Sequence, residues 1–288
     1  MVRLEFSTEL SYDIGAFGAD FIFNVQAART PRQTVVSERL ELSQNVACSD
    51  YTDPATNSRF LRLHAGAGLF TLRYCAVVDI AHFQAQPEQL MASNIQALPG
   101  EVLPYLCPSR YCQSDRLLTV ASEEFAHLSL GYSRASAICD WVGRHVRFQS
   151  NTSSSATSAI DTLIDRVGVC RDFAHLMIAL CRASNLPARM TSGIDYGADP
   201  TLGPQDFHAY VEVFLGDRWY MFDPSGTAVP MGFVRFATGR DAADIAFATI
   251  FGSVCPAQPI ISIQAVPNAQ GQLMVPQHVS HALSTDGP

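Results

Sequence analysis

Residues 207–223 read Phe207-His208-Ala209-Tyr210-Val211-Glu212-Val213-Phe214-Leu215-Gly216-Asp217-Arg218-Trp219-Tyr220-Met221-Phe222-Asp223. β-Branched and aromatic residues fill both halves, and Gly216-Asp217 between them is a two-residue turn, so the stretch predicts a β-hairpin. Such a loop sets Leu215 opposite Arg218, and Asp223 then falls opposite Tyr210. His208 lies two residues further along on the same face. Diagonal neighbours of that kind have Cα atoms about 7–8 Å apart, a gap that an imidazole and a carboxylate can bridge. The spacing makes His208 and Asp223 a candidate pair, with the carboxylate fixing the tautomer of the ring. Taken singly, His208 reads rather as a satisfied core or edge histidine and Asp223 as a turn carboxylate before Pro224.

Upstream stands Gly168-Val169-Cys170-Arg171-Asp172-Phe173, where a glycine turn delivers Cys170 to the first turn of an apolar helix. Unpaired N–H groups and the helix dipole at that position favour an anion, and the thiolate is the reactive form of cysteine. The same N–H groups can donate to a developing oxyanion. Free cysteine is also a common core residue, and the chain has eight cysteines in all. A nucleophile, a base and an orienting carboxylate are nevertheless the set that covalent catalysis requires.

Strand signals fill the first ninety residues: Val35–Leu42, Arg59–His64 and Gly68–Ile80 are strand-like, with turn chemistry over 45–57. A run of strands without helices predicts a β domain. After Pro87 the pattern turns helical, over 88–96, 104–129, Ser133–Arg147, Ala159–Arg166 and Cys170–Ser184, with a polar loop at Asn151–Ser158. Phe173, Leu176, Met177 and Leu180 mark the buried stripe of the last of these, Trp141 reads as core, and Glu123-Glu124 as a solvated helix face. Strands return from Ala188 onward, and the last twenty residues look loosely ordered. The expected division is a β domain over 1–95, a catalytic core over 96–265 and a tail over 266–288.

Apolar residues make up 48% of the 288 and charged ones only 16%, against about 25% in typical soluble domains, which leaves room for a homo-oligomeric contact. Net charge is −8 with no basic run, which speaks against nucleic-acid binding. Met1–Phe6 shows no apolar leader, and the uncharged stretch from Ile245 to Thr285 is broken by four prolines, so neither a signal peptide nor a membrane span is expected. Eight scattered cysteines then read as reduced thiols of a cytoplasmic protein. Cys107 and Cys112 lack a matching pair at zinc spacing, and His175 and Cys181 do not share a helix face.

The motifs Gly168-Val169-Cys170-Arg171-Asp172-Phe173-Ala174-His175, Leu186-Pro187-Ala188-Arg189 with Ser192-Gly193, Phe207–Val213, Trp219–Pro224 and Thr238–Asp244 together resemble the bacterial transglutaminase-like family, over about residues 130–255. Tyr210 stands where that family usually has Trp, and Ser225-Gly226 where it has Thr-Asn. The resemblance implies an α+β protein: an N-terminal β domain, then a papain-like transglutaminase core whose cysteine-bearing helix packs on an antiparallel sheet. It implies Cys170 as nucleophile, His208 as general base and acid, and Asp223 as orienting carboxylate, acting on a protein or peptide amide without a metal or organic cofactor. A catalytically silent interaction protein on the same fold is the alternative class.

Overall fold

The computed structural model describes residues 1–197 and 205–287. Its longest element is β1 (Val2–Phe23), in which every second residue from Val2 to Ile14 is buried. A bulge separates Ile14 from Ala19, after which Ala19, Phe21 and Phe23 turn inward instead. That change of phase breaks the alternation and hides a single strand from a periodicity reading. With β2 (Gln33–Leu42), β3 (Cys48–Thr52), β4 (Arg59–Ala65) and β5 (Gly68–Ile80), β1 forms an antiparallel sheet in the order β2-β5-β1-β4-β3. β3 lies inside the stretch expected to be turns. All its residues are exposed, so this edge strand has no inward face and leaves no pattern to read.

β13 (Ala248–Pro256) and β14 (Ile260–Ala265) also pair with β1. The expected core boundary at residue 265 therefore falls after two strands that hydrogen-bond into the N-terminal sheet. Their partner lies more than 220 residues upstream, and no local signal encodes such a pairing.

Beyond β6 (Phe83–Ala85), the helices expected over 88–96 and 104–129 are mostly short 3-10 turns: Pro87–Gln89, Ile95–Ala97, Gly100–Leu106 and Ser114–Arg116. Pro87, Pro99, Pro104 and Pro108 interrupt this stretch, and proline lacks the donor that an α-helix needs. Only α1 (Leu118–Phe125) is α-helical there. α2 (Tyr132–His145), α3 (Ala159–Asp165) and α4 (Cys170–Ala183) stand within two residues of their expected places. The short strands β7 (Arg147–Phe148) and β8 (Val167–Gly168) pair in parallel just before α4.

β9 (Ala188–Asp195), β10 (His208–Leu215), β11 (Arg218–Phe222) and β12 (Phe233–Gly239) make an antiparallel sheet in the order β11-β10-β9-β12. Its two faces are both covered, so nearly every residue of these strands is buried, polar ones such as Arg189, Thr191 and Asp195 included. Ala209, Val211, Val213 and Leu215 of β10 share a core with Phe173, Leu176, Met177 and Leu180 of α4. On the other face Tyr210, Met221 and Phe233 share a core with Phe6, Phe21 and Phe23 of β1. The helices, the central sheet and the N-terminal sheet are thus three layers, an α+β fold of the kind the sequence implies.

The chain's end is not loose. β15 (Ala282–Ser284) pairs with β6 and is buried, and the Thr30 hydroxyl donates to the Thr285 carbonyl at 2.6 Å. Arg189 and Arg235 lie buried beside Glu212, and Asp286 supplies the second carboxylate: Arg235 Nη1 donates to it at 2.8 Å, and Arg189 Nη2 also donates to it. Two buried guanidinium groups beside a single carboxylate hold the tail in place, a long-range charge balance invisible in the tail's own composition.

Candidate functional site

Gly168 lets the chain turn into α4. A Cβ there would sit 2.7 Å from the Cβ of Asp172, whose Oδ2 accepts from the Val169 amide at 2.9 Å and closes the helix start. Oδ1 of Asp172 accepts from the Ser153 hydroxyl at 2.8 Å, and Arg171 Nη2 donates to the Ser154 carbonyl at 2.7 Å. The polar loop 151–158 is thereby latched against the first turn of α4. Cys170 opens that turn, partly buried, with its thiol donating to the Phe207 carbonyl at 3.9 Å. The first amides of a helix have no helical carbonyl to bond and face outward.

The hairpin has the expected register, from Leu215 opposite Arg218 to Val211 opposite Phe222, with Asp223 just past the end of β11. His208 Nε2 lies 3.4 Å from Asp223 Oδ1, an ion-pair contact without the angle of a hydrogen bond. Nε2 is thus turned to the carboxylate, which leaves Nδ1 for the thiol. Burial works against a charged ring, but Asp223 and the Cys170 thiol outweigh it and hold His208 well above the usual histidine range. Asp223 is buried too. There His208, with the Ser225 hydroxyl (2.6 Å) and the Ala228 amide (3.0 Å) that donate to it, keeps the carboxyl below its usual range. Gly193 of β9 stands directly opposite His208, and a Cβ there would lie 2.0 Å from the Val234 carbonyl oxygen of β12. Only glycine admits that close approach.

Cys170, His208 and Asp223 therefore converge at one end of the central sheet. Sequence reasoning missed three neighbours. Phe233 stacks on the His208 ring at 5.3 Å, Phe247 stacks on Phe207 at 4.3 Å, and Asp195 is buried near His208 and Asp223. All three depend on the pairing of β9 with β10 and β12 or on the return of the chain after β12, and no short turn reveals those registers. Trp219 lies opposite Phe214 close to the hairpin turn and packs on Tyr105 and Arg189. His175 is a core residue that stacks on Tyr111 and accepts from the Ala242 amide. Trp141 is buried and donates to Glu124, so that carboxylate is not merely solvated.

Residues 121–224 match the model of the transglutaminase-like superfamily, and residues 2–101 that of the bacterial transglutaminase N-terminal domain. The crystal structure of a "putative cysteine protease" from Cytophaga hutchinsonii is 36% identical and covers 98% of this chain and 97% of its own, with a TM-score of 0.90. The chain belongs to the transglutaminase-like superfamily. Superfamily membership gives the central sheet and α4 their papain-like arrangement, as the sequence motifs imply. An uncharacterised protein of Mycobacterium leprae is 24% identical over 260 residues, 85% of this chain and 90% of its own length. An uncharacterised protein of Mycobacterium tuberculosis is 31% identical over 109 residues, 34% of this chain and 35% of its own. No helix among the described residues is long and apolar enough to cross a membrane.

Proposed function

We propose that the protein is a thiol-dependent amide hydrolase acting on protein or peptide substrates through Cys170, His208 and Asp223. The observation that carries this reading is one continuous line of contacts. The Cys170 thiol lies at the start of α4 against the strand that begins with His208, and His208 Nε2 is 3.4 Å from Asp223. An imidazolium beside a cysteine sulfur is the partner that stabilises a thiolate nucleophile.

In the first half-reaction the Cys170 sulfur attacks the amide carbon, and the first-turn amides of α4 receive the developing oxyanion. His208 gives its proton to the leaving nitrogen as the C–N bond breaks, which leaves a thioester and a free amine. In the second, His208 takes a proton from water as the water oxygen attacks the thioester. The carboxylic acid departs and the thiolate returns. Asp223 keeps the imidazole oriented throughout and offsets its charge.

Water is the favoured acceptor. The loop beside Cys170 is polar and latched through Ser153 and Ser154, and Trp219 is too far along the hairpin to wall the site. Superfamily members that transfer to amines must exclude water, which calls for an apolar enclosure. Eight free cysteines suit a reducing compartment, so the cytoplasm is the proposed location.

Iodoacetamide at pH 6–7 followed by mass mapping tests the assignment. Cys170 should be alkylated faster than the other seven thiols, among which Cys112 and Cys181 are buried. Labelling of exposed Cys107 or Cys255 with Cys170 left untouched would defeat the reading.

A further inference from the structure

We propose that Asp195 is a second carboxylate acting on His208, a positioning residue that holds the imidazole charged through its field; the inference rests on the Cys170–His208–Asp223 reading above. The register of β9 makes the case first. Gly193 opposite His208 has no side chain, so the next residue on that face of β9 is Asp195, the diagonal neighbour of His208. Phe233, paired with Asp195 on β12, stacks on the ring of His208.

Consecutive amides of one loop bind the two carboxylates. The Ala228 amide donates to Asp223 Oδ2 at 3.0 Å, and the Val229 amide donates to Asp195 Oδ2 at 3.1 Å. Both acids are thus tied to the segment that leaves the hairpin. The other oxygen of Asp195, Oδ1, is buried without a hydrogen-bond partner, in a residue 3% exposed. A desolvated carboxylate oxygen without a donor needs a compensating charge, and His208 is the cation that favours ionised Asp195.

Burial pushes Asp195 up to about 6, with the nearby Asp223 adding to the rise and His208 and the amides of Gly197 and Val229 opposing it. The sign of the linkage matters. An acid raised from 3.8 to about 6 by folding lowers stability as pH climbs through that window, and the loss persists at neutral pH. An amide would fill the same space and accept the same Val229 bond without that ionisation cost, so the acid adds no stability at neutral pH.

The other ionisable groups around the pair do not supply this charge. Burial keeps Tyr210 of β10 and Cys139 of α2 protonated, and Arg235 of β12 is held by Asp286 and Glu212. Asp206, before β10, is raised by burial and accepts from the Phe207 amide. Cys170 and Asp223 are the groups already assigned.

The test is a histidine-selective NMR titration of the full-length protein, with His208 assigned by His208→Gln. In the wild type the His208 signal should show an inflection near pH 6 as Asp195 ionises, before its own titration at higher pH. In Asp195→Asn the inflection should vanish and the His208 pKa should fall by about one to two pH units, as for one charge about 7 Å away at an effective dielectric near 20. Thermal melts of that variant should also lose the decline in stability that the wild type shows between pH 4 and 6. An unshifted His208 in a folded Asp195→Asn protein would overturn the proposal. So would a wild-type His208 with no inflection near pH 6, a result that needs no variant. The hydrolase reading fails separately: if His208 responds as expected while Cys170 forms no acyl-enzyme, Asp195 keeps its role on the ring.

Discussion

Asp286→Asn removes one negative charge from the buried cluster that ties the end of the chain to the central sheet. Burial raises the Asp286 carboxyl, but Arg235 and Arg189 more than reverse this and bring it from 3.8 down to about 2. Its side chain is 16% exposed, so solvent screens the cluster little. A pKa lowered by that amount corresponds to about 2 kcal/mol of stability at neutral pH. That contribution is complete above about pH 4, the unfolded value, and is lost as pH falls through the folded value near 2. The substitution also leaves Arg189 and Arg235 sharing Glu212 alone, and breaking a buried pair adds to the loss, for a total of about 3–5 kcal/mol. Urea denaturation of both proteins at pH 7, 5 and 3 measures the effect. The difference should be the same within error at pH 7 and pH 5, and clearly smaller at pH 3. A difference below about 0.5 kcal/mol at pH 7 would refute the claim that the tail's charge holds it in place.

Asp223→Asn should keep the fold at some cost, since Ser225 and Ala228 donate to different carboxylate oxygens and an amide keeps only one of the two acceptors, yet lower turnover strongly. The corresponding change in serine proteases costs about 10⁴-fold. A Cys–His pair leans less on its third member than a Ser–His pair does, so a loss of roughly 10²-fold or more is expected, read as kcat on a peptide substrate. Near-wild-type turnover would mean that another group orients His208. A peptide or glutamine acyl-enzyme should partition mainly to water even with millimolar primary amine present, and mass spectrometry of the products decides this. Mostly amine-incorporated product would replace the hydrolase reading with acyl transfer and leave the three residues as they are.

The hairpin and the cysteine helix were legible from sequence because both are local. A two-residue turn sets the register of every pair from Leu215–Arg218 back to Val211–Phe222, and a 3.6-residue stripe marks the buried face of α4. Those two elements carry Cys170, His208 and Asp223, so the candidate site came with them. The superfamily also came from the sequence, since its motifs lie in the same segments. What only the tertiary structure decided is long-range. β13 and β14 pair with β1 across more than 220 residues, the edge strand β3 shows no inward face, and Asp286 completes a charge balance between two strands of another sheet. Asp195 belongs to the same group: β9 meets β10 through no short turn, so its register, and the second carboxylate it brings to His208, exists only once the sheet has closed. Local periodicity records which face of an element is buried. It does not record which distant residue covers that face, because that choice is made by the summed packing and charge of the whole chain.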